Sequence, residues 1–107
     1  MNSTIINRAY YSAYSYAYLW LEENHNFKPK QKWEFDEDGE SYITEHAQVR
    51  KKFEELKLYK ISNRLFRIHE LRKKADYSLF KTLTDGEIIE SLEIMNYIFE
   101  NLKFQKK

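Results

Sequence analysis

The decapeptide IHELRKKADY (Ile68–Tyr77) puts an imidazole, a guanidinium, lysine ammonium groups, carboxylates and a phenol close together. On a helix, His69, Arg72, Lys73 and Asp76 fall at i, i+3, i+4 and i+7 and share one face. Leu65, Ile68, Leu71, Ala75 and Leu79 are then free to point into a core. Arginine offers a planar fork that fits a phosphate, and histidine moves a proton near neutral pH. Together they have the means to cleave RNA without a metal, by activating the 2′-hydroxyl and protonating the leaving oxygen. The plainer reading of the same spacing is a solvated helix face. In it, Arg72 and Asp76 form an i,i+4 pair contributing about 0.2–0.5 kcal/mol.

The rest of the chain must position these groups. With 107 residues, 42% hydrophobic and 33% charged, it has the length and apolar content of one folded domain. Two glycines and one proline are few turn-makers, which predicts a helical chain. Eighteen Lys and Arg against 17 Asp and Glu exclude a globally basic nucleic-acid binder, so any phosphate binding must come from local clustering. Without cysteine there is no disulfide framework or thiolate zinc site. His25, His46 and His69 are not at metal-ligand spacing, and no metal or cofactor is expected. No apolar run reaches a membrane span and MNSTIINRAYY does not read as a signal peptide, so no membrane contact is expected; the absence of cysteine fits a cytoplasmic location.

Helical periodicity runs over residues 3–23, where Ser3 or Thr4 can cap. There Ala9, Ala13 and Ala17 form a small-residue stripe beside Tyr10, Tyr14 and Tyr18. That tyrosine stripe reads as core or dimer interface. Residues 24–44 break the pattern. They hold the proline and the Lys28, Lys30, Lys32 cluster, whose field the neighbouring FDEDGE largely cancels, and they suggest a loop or a short hairpin around Asp38-Gly39. Helical spacing returns over 45–59 (Val49, Phe53, Leu56, with Thr44 as cap) and from 61 to about 80. Ser62-Asn63 can separate these two runs, and one long bent helix is the alternative. TDGE (Thr84–Glu87) is a capping box opening a last helix with Ile88, Leu92, Met95, Phe99 and Leu102 on one face. The prediction is an all-α antiparallel bundle of about four helices, with a loop or short hairpin inserted between the first two.

Three stretches together carry a resemblance. NRAYYSAYSYAYLWL (Asn7–Leu21), HAQVRKKF (His46–Phe53) and LRKKADY (Leu71–Tyr77) resemble, in that order, the helices of the HEPN superfamily. These are an Arg-x-Tyr-Tyr helix rich in alanine, a His-x-x-Val-x-x-x-Phe helix, and a helix ending in Leu-Arg-x-x-Ala-Asp-Tyr. The resemblance covers most of the chain and implies a helical bundle that dimerises through these helices. It also implies RNA or nucleotide as ligand. Many such domains are metal-independent ribonucleases of toxin–antitoxin or phage-defence systems, some paired with nucleotidyltransferase-like antitoxins. In that family an arginine followed a few residues later by a histidine marks the catalytic motif, and two copies meet across the dimer.

Arg72 matches the signature arginine, but Tyr77, Ser78 and Leu79 stand where the histidine is expected. The catalytic candidates are therefore Arg72 with His69 or Tyr77, oriented by Asp76. The alternative pair is Arg64 and His69, which fits the signature spacing upstream. Arg8, Lys73 and Arg67 are the expected RNA contacts. The missing histidine leaves a second reading open: a non-catalytic interaction module that docks onto a nucleotidyltransferase-like partner.

Overall fold

The computed structural model describes residues 2–77 and 83–103, and side chains for 4–76 and 83–103. The described residues form five helices: α1 (Asn2–His25), α2 (Lys32–Asp38), α3 (Glu45–Glu55), α4 (Tyr59–Tyr77) and α5 (Asp85–Asn101). No strand occurs among the described residues.

The segment expected as a loop or hairpin instead forms α2. Gln31 and Glu34 build a capping box at its start, and Gly39, at φ 70°, ends it in the left-handed region that glycine enters without cost. Trp33 and Phe35 therefore follow a helical rather than an alternating pattern. Phe35 is buried under the Lys30 ammonium and against the edge of Tyr42. Lys30 also pairs with Asp38 at 2.6 Å and Glu40 at 3.2 Å, so the lysine cluster is partly neutralised locally. The Gln48 amide ties this segment to α3. It accepts from Lys30 N and donates to the Lys30 and Ile43 carbonyls.

Residues 45–77 form two helices, and the break falls at Leu56–Leu58 rather than at Ser62-Asn63. Lys57 takes φ 63°, its N–H bonds the Glu54 carbonyl, and the Leu58 N–H bonds the Phe53 carbonyl. This is a Schellman closure made without glycine. Ser62 lies buried inside α4, where its hydroxyl donates to the Glu54 carboxylate. At the other end of the chain, α1 already begins by Asn2, so Thr4 sits in its first turn instead of capping it. The Thr84–Glu87 capping box forms as expected.

The contacts fix the helix directions. Along α1 and α3, Tyr10 meets His46 and Trp20 meets Phe53, so these two run parallel. Between α3 and α4, His46 meets His69 and Glu54 meets Ser62, so they run antiparallel. Arg67–Glu90 and Lys74–Glu87 make α5 antiparallel to α4 as well. Helix α1 is central, packing on α3, α4 and α5. Its Ala9, Ala13 and Ala17 are buried and let neighbouring backbones come close; Ile6, Tyr10 and Leu21 complete that face. Val49 and Phe53 of α3 and Ile61, Leu65, Ile68 and Leu71 of α4 close the core.

On α5 the buried residues are Ser91, Ile94 and Ile98, followed by Leu102. Of the row expected from sequence Leu102 is buried, Ile88 and Met95 pack partly buried against the core, and the centre of the buried face is shifted toward Ile94 and Ile98. Ser91 is tolerated there because its hydroxyl bonds the Ile88 carbonyl. Leu92 and Ile89 face outward. Among the described residues no helix is long and apolar enough to cross a membrane.

Candidate functional site

Four side chains from three helices converge at one edge of the bundle: Tyr10 of α1, His46 of α3, and His69 and Arg72 of α4. Each is placed by local rules. Tyr10 belongs to the buried face of α1 and is only 1% exposed, which brings its hydroxyl to the far side of the α1–α3 contact. His46 lies in the first turn of α3, which Thr44 caps by accepting from the Ala47 N–H. It also shares a face with Val49 and Phe53, and so turns toward α1 and α4. His69 and Arg72, one turn apart, flank the buried Leu71 and Ile68 at the core's rim.

The rings form a compact stack. His46 and His69 have centroids 5.5 Å apart at 26°, and Tyr10 lies 5.5 Å from His46 and 5.8 Å from His69. Tyr14 covers His46 at 4.4 Å. The Tyr10 hydroxyl bonds Nδ1 of His46, and the Tyr14 hydroxyl donates to Glu45 at 3.2 Å. The Arg72 guanidinium sits 4.9 Å from the ring centroids of both Tyr10 and Tyr11, a cation–π position. Its Nε is buried without a hydrogen-bond partner; Asp76 Oδ2 is 3.5 Å away, an ion pair but not a bond.

These surroundings set the charge states. Burial holds the His46 imidazole below its usual range, and the nearby His69 and Arg72 push the same way. His69 is likewise lowered by burial, then by the cations Arg50 and Lys73. Both rings therefore stand neutral at pH 7, each with one donor and one acceptor nitrogen. Burial raises the Tyr10 phenol against the opposing pull of Arg72, so it is a hydroxyl rather than a phenolate. Tyr14 is raised by burial and by Glu45. The site thus offers two neutral imidazoles, a phenolic proton and a guanidinium with an unused buried N–H. That set suits an anion with a transferable proton, such as a phosphodiester beside a hydroxyl.

Of the residues singled out from sequence, Arg72 and His69 lie in this cluster and Asp76 lies beside it. The Tyr77 side chain, Ser78 and Leu79 lie outside the described residues. Arg64 and His69 face different neighbours. Arg64 lies 4.2 Å over the Tyr97 ring of α5, on the flank where Arg67 makes a two-pronged pair with Glu90 at 2.7 and 2.9 Å. Lys73 is exposed and 3.6 Å from Glu70, and Arg8 is exposed on the outer face of α1.

Sequence reasoning missed His46 and the polar role of Tyr10. The available signal was a histidine on the same stripe as Val49 and Phe53, since a polar ring on a core face needs a partner. No group of three or more His, Cys, Asp or Glu is arranged to hold a metal among the described residues. No family model, curated protein or solved structure matches the chain.

Proposed function

We propose that this is a HEPN-like cytoplasmic domain that dimerises, binds RNA or nucleotide, and acts as a metal-independent endoribonuclease of a toxin–antitoxin or phage-defence system. The observation that carries this reading is Arg72. Its buried, unbonded Nε lies next to two neutral imidazoles on the helix pair that the family resemblance singles out. An arginine fork positions a phosphate, and a neutral imidazole accepts a proton from the adjacent hydroxyl. The dimer is supported by the outer face of α1, where Ile5, Arg8, Tyr11, Ser12 and Leu19 are all exposed. Tyr11 joins that face to the site through its contact with Arg72.

Incubation of the purified protein with single-stranded RNA in EDTA tests the activity. Wild type is expected to degrade the RNA and an Arg72→Ala/His69→Ala double variant to leave it intact. Equal amounts of intact RNA would end the nuclease reading.

A second reading is an interaction module docking onto a nucleotidyltransferase-like partner. It is favoured by Trp33 and Tyr42, exposed at 58% and 49% on the segment that carries α2. This reading expects such a partner to co-purify from the native host and to be lost on Trp33→Ala, with no RNA degraded.

A further inference from the structure

The His46–His69 pair is more specific than a phosphate cradle needs to be. Two imidazoles stacked with centroids 5.5 Å apart cannot both carry a proton without strong repulsion. Facing them are Tyr10 and Tyr14 from α1, Glu45 and Arg50 from α3, and Glu70, Arg72 and Lys73 from α4. Three of these groups are cations and two are carboxylates, and with burial they disfavour even one imidazolium. An anion lying against Arg72 reverses that balance.

We propose that Arg72, His46 and His69 form a phosphodiester site in which the histidine pair takes up one proton as the anion binds. The loaded pair then consists of one charged and one neutral ring, which is what general acid–base cleavage of RNA requires. The proposal rests on the nucleic-acid reading above and adds His46 as a catalytic residue, with Tyr10 as a positioning residue that holds the His46 ring by its hydroxyl.

The step balances within the pair. The neutral ring accepts the 2′-hydroxyl proton as the 2′-oxygen bonds to phosphorus. The bond from phosphorus to the 5′-oxygen breaks, and that oxygen takes the proton from the charged ring. A 2′,3′-cyclic phosphate and a 5′-hydroxyl leave, and the single proton has moved from one ring to the other.

The test follows the ring carbons of the three histidines by NMR through a pH titration, with and without a 2′-O-methyl oligoribonucleotide that cannot be cleaved. Proton uptake is measured in parallel by calorimetry in buffers of different ionisation enthalpy. The probe is expected to raise the midpoint of the His46–His69 pair by ~2–3 pH units, with uptake approaching one proton at pH values between the free and bound midpoints. The His25 ring, which lies against Trp20, should not respond to the probe. Arg72→Gln should abolish the coupling, and Arg72→Lys, which keeps the charge but loses the fork, should retain part of it.

Unmoved His46 and His69 signals would overturn the proposal, as would equal coupling in folded Arg72→Gln. Coupling without RNA cleavage in EDTA would keep the site and remove the nuclease. Cleavage at full rate by His46→Gln would keep the nuclease and remove the pair.

Discussion

The imidazoles of His46 on α3 and His69 on α4 stack with their ring centroids 5.5 Å apart, the Tyr10 hydroxyl bonding one of them and Arg72 closing the same edge. The pair joins two helices through imidazoles whose protonation burial and neighbouring cations disfavour, so it couples protonation to stability as well as to binding.

For both rings the folded midpoint lies below the unfolded value of 6.5, because burial and neighbouring cations disfavour the charged form. Between the two midpoints the unfolded chain binds more protons than the folded one, so stability rises with pH across that window. Equivalently, it is complete above 6.5 and falls as pH drops through and below that value. Urea midpoints measured from about pH 8 to about pH 5 should decline. A His46→Gln/His69→Gln double variant should show a flatter profile over the same range. An unchanged slope would mean that the pair is not held neutral by the fold.

Glu87 does two things at the start of α5. Its carboxylate accepts from the Thr84 N–H to complete the capping box, and from Lys74 of α4 at 2.6 Å. The Lys74 bond and the Thr84 backbone bond hold its acid down to about 2, against 4.5 ordinarily. A depressed carboxylate contributes stability that is present above its unfolded value and is lost as pH falls through the folded one, here from 4.5 toward about 2. Glu87→Ala is expected to cost ~1 kcal/mol at neutral pH by urea unfolding. It should also remove part of the acid-side loss. Glu90, lowered by Arg67, supplies another part.

Lys57 closes α3 in the left-handed region at φ 63°, where a side chain crowds its own backbone. Both Schellman bonds run through backbone atoms and survive any substitution there. Lys57→Gly should therefore stabilise the protein by ~0.5–1 kcal/mol despite the freer unfolded chain. Lys57→Val should destabilise it, because branching at Cβ is worst accommodated at positive φ. Thermal midpoints of the two variants moving in the same direction would refute this account of the break between α3 and α4.

The helices were legible in the sequence to the extent that their signals are local. A capping box needs only Thr84 and Glu87, and the alanine stripe of α1 needs only its four-residue spacing; both stand in the structure as read. The face carrying His69, Arg72, Lys73 and Asp76 was legible for the same reason. Where no local signal exists, the structure departs from the sequence pattern. Nothing marks Lys57 as a helix stop, since lysine rarely turns left-handed, and Ser62-Asn63 looked like a cap until the core buried Ser62 inside α4. Helix α2 was hidden by its two aromatics, whose spacing suits a strand as well as a short helix, and whose choice was made by burying Phe35 under Lys30 and Tyr42.

The site itself was a tertiary outcome. His46 reaches His69 only because α3 and α4 run antiparallel, and Tyr10 reaches both only because Ala9 and Ala13 let α1 lie close. Arg64 and Arg67, as well marked as Arg72 in one dimension, were drawn to Tyr97 and Glu90 on α5. Residue type and spacing set which chemistry a helix face can carry. The packing of three helices decided which groups meet, because burial and proximity, which neutralise the imidazoles and leave the Arg72 Nε unbonded, are properties of the assembled core.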